Sequence, residues 1–402
     1  MKPRPTVITV CLILIFHCVN EVDAADCNRT APQPITHIEL PGNPFAPIPT
    51  SDGCWIFVSL ARTQSKPGRI AVLKRDKGNV SIVRTVPVED SPAGMVMTHD
   101  GKILIAAVGE RVAFLDSQRL ISGLGPPVLG YWTDGTGDAG HVYVNVTSND
   151  EYLFVSDEAV GTVTVINLAR ARASSFSTHF TVGKIPVGAA PIALTFSPDE
   201  RYLYTTSQVM PDSGWPAECR PEFNQQAPPD HPQGAILIVN VSLAKTQPSK
   251  SVVATVKAGC NPVRLVISPK GEVAYVTARG DHSLLAFDTK RLLSDSTHAL
   301  IGRVPVGTAP VGVGVIEDGR KVVVTNSNRF AGGADDRQTL VVLNASRLAA
   351  GAAAILGSIP AGGFPREIRL TADRLTLLLT NFTSRTLELI DLQRVPLQPV
   401  GR

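Results

Sequence analysis

One pattern recurs seven times along this chain and limits what it can fold into. Its clearest copy runs from Val304 to Asn326, VPVGTAPVGVGVIEDGRKVVVTN. An extended VPVG leads to a proline, an apolar run, an acidic-glycine turn and a second apolar run ending in Thr325-Asn326. The anchors of the seven copies are Pro44, Pro92, His141, Pro191, Pro262, Pro310 and Pro365. In every copy the turn falls at the same offset from the anchor, as in Ser51-Asp52-Gly53, His99-Asp100-Gly101 and Pro198-Asp199-Glu200. The second run keeps its own fixed offset, as in Phe57-Val58-Ser59, Tyr204-Thr205-Thr206 and Val323-Val324-Thr325.

Repeats of about 40–50 residues, each rich in short strands, predict the blades of a propeller. The expected fold is all-β: a seven-bladed β-propeller with four antiparallel strands, A to D, in each blade. Strand A follows the anchor, B follows the turn, C is apolar and D leads to the next anchor. Asp116, Asn167, Asn240, Asp288, Asn344 and Asp391 follow strand C and read as turn caps. Ile35–Leu40, ITHIEL, is a strand without a blade, and the last blade lacks its fourth strand. The N-terminal strand is therefore expected to close blade seven against Leu387–Leu392, which removes an open sheet edge. The domain boundaries are a secretory leader over 1–24, a short segment over 25–34, the propeller over 35–392 and a tail over 393–402.

The leader reading rests on Lys2 and Arg4 ahead of the apolar Val7–Val19, with small residues near Ala24. No other long apolar run occurs, so no transmembrane span is expected and the protein is read as secreted, periplasmic or at the cell surface. A net charge of +3, without a basic tract, argues against nucleic acid. A monomer is expected. Beyond the leader the cysteines are Cys27, Cys54, Cys219 and Cys260, an even number that suits disulfides in an exported chain. Cys219 lies in an insertion that leaves blade four on the rim where Cys260 sits, so these two are paired. Cys27, before the first strand, is paired with Cys54, after the turn of blade one. Sequons at Asn28, Asn79, Asn240 and Asn344 would carry glycans in a eukaryotic host.

Antiparallel order places the D–A and B–C connections on one rim and the short A–B turns on the other. The long insertions, Gln208–Gly234 and Phe330–Gln338, are both B–C connections, so one face is loop-rich. Binding of a small molecule or protein partner is expected there.

The alternation of VPVG, proline, SPDG and YVTN resembles the YVTN-type β-propellers. It is carried by Val304-Pro305-Val306-Gly307 with Pro310, Ile185-Pro186-Val187-Gly188 with Pro191, Ser197-Pro198-Asp199 with Tyr202-Leu203-Tyr204, and Tyr275-Val276-Thr277-Ala278. The resemblance covers roughly residues 35–392 and implies a lactonase-like, seven-bladed ring. That superfamily includes lactone hydrolases, an isomerase, haem-dependent enzymes and surface-layer proteins. No haem attachment motif is present, and no catalytic residue of the lactone hydrolases maps onto this sequence.

The position two after each anchor is expected to begin strand A near the axis on the loop-rich rim. It holds Ala46, Gly94, Tyr143, Ala193, Arg264, Gly312 and Glu367. Four are small, which leaves Tyr143, Arg264 and Glu367 as the exceptions. The ends of strand B add Asp157, Glu158, Gln208, Arg279 and Asn326, with His282 and Arg329 just beyond. One reading is a site for an anionic or polyhydroxylated small molecule, with Arg264 and Arg279 as anchors and Glu367 or His282 as base. A lactonase-like hydrolase or isomerase would then use Arg264 and Glu367. The other reading pairs Arg264 with Glu367 to line a solvated channel. A purely structural role in a surface layer is a third. Asp134, Asp138, Asp157 and Glu158 make a calcium reading without EF-hand spacing, and no other cofactor has a motif.

Overall fold

The local rules that shape each repeat are visible in its A–B turn. In blade two, Thr98 Oγ1 donates to Asp100 Oδ1 at 2.7 Å, and Asp100 Oδ1 accepts the Lys102 N–H at 3.1 Å. Thr98 Oγ1 accepts the Ile103 N–H at 3.0 Å. Gly101 sits at φ 69°, where a side chain would be strained. The same hydroxyl–aspartate pair recurs at Ser197–Asp199 and Thr371–Asp373. The turn is thus built from its own side chains, which explains its constant length.

The computed structural model describes residue 27 and residues 32–135, 137–176, 180–329 and 338–400. The leader over 1–24, the sequon at Asn28 and residues 330–337 of the blade-six insertion lie outside the described residues. In blade one the strands are Pro44–Pro49, Trp55–Leu60, Arg69–Asp76 and Asn79–Pro87. Seven such four-stranded sheets follow one another in a ring. The last is made of Pro365–Leu370, Thr376–Asn381 and Thr386–Asp391, completed by Ile35–Glu39. Ile35 pairs with Ile390 and Glu39 with Thr386, as ring closure requires. Among the described residues, no helix is long and apolar enough to cross a membrane.

After strand C the structure shows short helices where the sequence suggested bare turns. They span Ser117–Ser122, Leu168–Ala173, Val241–Ala244 and Thr289–Ser294. Asp116, Asn167, Asn240 and Asp288 cap them, each accepting a backbone N–H three residues on.

Apolar faces of neighbouring blades interdigitate. Between blades one and two, Phe57, Ile70, Val72, Met95, Leu104 and Ala106 form one buried cluster. Polar latches cross the same interfaces. Thr277 Oγ1 accepts the Arg264 N–H of its own blade at 3.1 Å and donates to Val311 O of the next at 2.8 Å. Ser59 donates in the same way to Ala93 O, Ser156 to Ile192 O, Thr206 to Val263 O and Thr380 to Phe45 O. Each of these hydroxyls also accepts the N–H of the residue two after its own blade's anchor. The strand register shifts at this point in all seven blades, a β-bulge that turns two successive side chains of strand A toward the axis.

The closing pair of strands carries a buried carboxyl. Glu388, 1% exposed, lies opposite His37 and accepts from Asn381 Nδ2 at 2.7 Å and Gly362 N at 3.2 Å. Its Oε2 is buried without a partner among the described residues. Burial raises its pKa, opposed by His37, by Asn381 and by the Gly362 N–H. The folded state therefore holds this proton more tightly than the unfolded chain does. Stability from this group should be fullest below about pH 4, the unfolded carboxyl range, and fall as pH rises through the folded pKa. Thermal melts at a series of pH values should show Glu388→Gln flatter than wild type across that window. Parallel profiles would show that the carboxyl is not the source.

Candidate functional site

The bulge places two layers of side chains on the axis. In the first, one residue after each anchor, Phe45, Ile192, Val263 and Val311 belong to one buried cluster, and Ala93 and Val142 pack against it. Arg366 occupies this position in blade seven, its Cζ 3.7 Å from the centre of the Phe45 ring. These side chains fill the axis on its loop-rich half. The second layer contains Tyr143, Arg264 and Glu367. Gly94 leaves the room that Tyr143 takes, since a Cβ there would come within 2.7 Å of Tyr143 Cδ2.

Tyr143, Arg264 and Glu367 meet in one network with Arg369. Glu367 Oε1 accepts from Tyr143 Oη at 2.6 Å and from Arg369 Nη1 at 2.6 Å. Its Oε2 accepts from Arg264 Nε at 2.9 Å. Arg369 Nη2 donates to Tyr143 Oη at 2.6 Å, and Arg264 Cζ stands 4.5 Å from the Tyr143 ring centre. Burial alone would raise the Glu367 pKa. Arg369 and Arg264, then the Tyr143 hydroxyl, reverse that and hold it below the usual carboxylate range. Burial pushes the Tyr143 phenol up.

A cavity of about 280 Å³ adjoins this network. Its wall includes Ile48, Met95, Tyr143, Asn145, Thr195, Arg264, Glu367 and Arg369. These positions run from the second layer toward the A–B turns. The axial space thus lies on the opposite half from the loop-rich rim where the sequence placed it, because the bulge fills the loop-rich half with the first layer. Only Nε of Arg264 is engaged by Glu367, and neither Nη has a partner among the described residues. Arg369 could have been found from Glu367, because residues two apart in a strand share a face. Arg366 could not, because simple alternation turns it away from the axis.

The remaining candidates divide into two sets. On the loop-rich rim Arg279 is engaged by the insertion: Glu222 accepts from its Nε and, at 2.7 Å, from Nη2, while Gln208 Oε1 accepts from Nη2 at 2.7 Å. Gln208 Nε2 donates to Glu158 Oε1 at 3.3 Å. Glu222 carried no signal in the sequence. Arg329 stands 5.6 Å from the Phe364 ring, apart from the axial network. His282 Nδ1 accepts the Ala309 N–H at 3.1 Å beside a small pocket of about 130 Å³ that also touches Arg279 and Glu222. The second set serves the backbone. Asp157 Oδ1 takes the N–H groups of Gly140, Ala159 and Val160, and Asn326 Nδ2 donates to Val306 O at 2.7 Å.

The calcium set does not converge. Asp134 pairs with Lys184 Nζ at 2.8 Å and Asp157 is spent on its turn. Among the described residues no three acidic, histidine or cysteine side chains gather to hold a metal. Asn79 is exposed, while Asn240 and Asn344 use Oδ1 to cap the segments that follow.

Disulfides join Cys219 to Cys260 and Cys27 to Cys54, with Cα separations of 5.5 and 4.8 Å. The first pins the blade-four insertion close to the residue that Glu222 grips. Replacing Cys219 and Cys260 by serine should cost about 2–4 kcal/mol and speed protease cutting within 210–234. Unchanged denaturation and digestion would refute the clamp. In the axial network, Glu367→Ala leaves the buried Arg264 and the half-buried Arg369 without their carboxylate and should cost about 3–5 kcal/mol. Tyr143→Phe should cost about 1–3 kcal/mol, read by urea denaturation of both variants.

No family model matches this chain, and no curated protein matches it. Solved structures do resemble it. Hydrazine synthase from Kuenenia stuttgartiensis is 16% identical, with 89% of this chain and 97% of that chain covered and a TM-score of 0.62. The β-propeller domain of Cps50 (Swd1) from Myceliophteria thermophila is 10% identical, covering 88% and 97%, with a TM-score of 0.61. A chain of a mitotic checkpoint complex is 13% identical, covering 98% and 99%, with a TM-score of 0.64. At these identities the likeness shows the fold, a seven-bladed propeller, and nothing finer.

Proposed function

We propose that this chain is an exported YVTN-type propeller that binds a small anionic molecule in its axial cavity, with Arg264 as the main anchor. The observation that carries this is that neither Arg264 Nη has a hydrogen-bond partner among the described residues, beside a cavity of about 280 Å³. Two guanidinium groups, Arg264 and Arg369, stand there against the single carboxylate of Glu367. A positive excess beside a cavity favours an anion, and a guanidinium edge suits carboxylate or phosphate. Tyr143, Asn145 and Thr195 line the same cavity beside apolar Ile48 and Met95, a mix that fits a small organic acid.

Binding is favoured over lactone hydrolysis or isomerisation by the state of Glu367. Both its oxygens already accept hydrogen bonds, and its pKa is held low. Such a carboxylate is a weak base, so its role here is to fix the two guanidinium groups. The leader and the two disulfides support export to an oxidising compartment, at the cell surface or beyond. Docking of a protein on the loop-rich face is a second reading, favoured by Phe223, 83% exposed on the disulfide-pinned insertion.

The test is calorimetric titration with phosphate, sulfate, short mono- and dicarboxylates and sugar acids. At least one should bind, and Arg264→Met should weaken it by roughly 30-fold or more. Glu367 keeps Tyr143 and Arg369 in that variant, so the fold should persist. Wild-type affinity in Arg264→Met, or no binding by any of these anions, would refute the site. Turnover of a lactone panel lost in Glu367→Gln would overturn the binding-only assignment.

A further inference from the structure

The first axial layer holds a charge that the proposed cavity does not use. Six of its seven positions are apolar: Phe45, Ala93, Val142, Ile192, Val263 and Val311. The seventh is Arg366. Its Cζ lies 3.7 Å from the Phe45 ring centre, 5.4 Å from that of Phe364 and 5.2 Å from that of Phe382. Its Nε is buried with no hydrogen-bond partner among the described residues, and none of their carboxylates forms an ion pair with it. Burial, then Arg264 and Arg329, pull its pKa down to about 9, against the weaker pull of Glu367 and Glu158.

Arg366 is half-buried, and its Nε, buried without a hydrogen bond among the described residues, carries a desolvation cost. Rings also limit how a ligand reaches it. With Phe45 against one face, the hydrogen-bonding edge of the guanidinium remains, and a planar carboxylate matches that edge with two parallel bonds. Arg366 belongs to the layer on the loop-rich side of the Arg264 network, so an anion held there is separate from one in the axial cavity.

We propose that Arg366 is a second anion site, on the loop-rich side of the axis, taking the carboxylate of a small organic acid. Sodium acetate, the simplest planar carboxylate of this class, is the probe. Wild type, Arg366→Met, Arg366→Gln and Arg264→Met are melted in chloride and in acetate at equal ionic strength. In chloride, Arg366→Met should melt higher than wild type, by about 2 °C, because a partly buried charge whose Nε lacks a hydrogen bond among the described residues is gone. Acetate should raise the Tm of wild type and of Arg264→Met. Both Arg366 variants should lose the part of that rise which Arg264→Met retains. Arg366→Gln guards against a packing fault peculiar to methionine. If Arg366→Met and Arg366→Gln both melt lower than wild type in chloride, the charge is already satisfied and the proposal fails. It fails too if wild type ignores acetate, or if the Arg366 variants respond as fully as wild type. Loss of binding in Arg264→Met alone would concern only the axial cavity.

Discussion

In five of the seven blades a hydroxyl near the end of strand B ties one blade to the next. Thr277, and its counterparts Ser59, Ser156, Thr206 and Thr380, each bond the bulged N–H of their own blade and a carbonyl of the next. Both groups are buried, and backbone groups left unpaired there would cost about 1–3 kcal/mol each. One side-chain atom thereby stabilises the bulge and spaces the blades. This gives a physical reason for the threonine or serine found at that point in six of the seven repeats; blade two has Ala107 there and keeps its bulge without the latch.

The same latch decides where chemistry can occur. It bonds to the bulge, and the bulge directs two layers of side chains at an axis too narrow for seven large ones. Most positions are therefore small or aliphatic, and in the second layer the large polar residues partner one another within the ring. Tyr143, Arg264 and Glu367 do so across three blades, joined by Arg369 one step further along its strand. Glu367 lies at the centre of this set because it alone brings negative charge to two cations. It holds them at fixed positions beside the cavity, so an incoming anion need not order them.

The architecture was legible in the sequence because its determinants are local. A proline anchor in six blades, a short polar turn at a fixed offset and an apolar strand after it specify the blades without reference to distant residues. The meeting of Arg264 with Glu367 was also legible, because both occupy one repeat position. What escaped detection depends on departures from regular geometry. The bulge brings Arg366 to the axis against strand alternation, and it moves the open space to the side of the A–B turns. Glu222 reaches Arg279 only through the path of an irregular insertion, and no periodicity encodes such a path. The short helices after strand C were missed because a capping aspartate or asparagine looks the same before a turn and before a helix.

The closing strand imposes an order on folding. Ile35 is made 355 residues before its partner Ile390 (390 − 35). Six blades have all four strands drawn from neighbouring sequence and can form as they emerge. Blade seven cannot, because its outer strand must wait while almost the whole ring is built. Throughout that interval the arc has two loose ends and an unpaired sheet edge, the kind of surface through which growing chains associate wrongly. The contact that finishes the fold is also its most distant in sequence, so its formation should set the pace of the last folding phase. A nascent copy remains vulnerable until the strand that Ile35–Glu39 completes has itself been made.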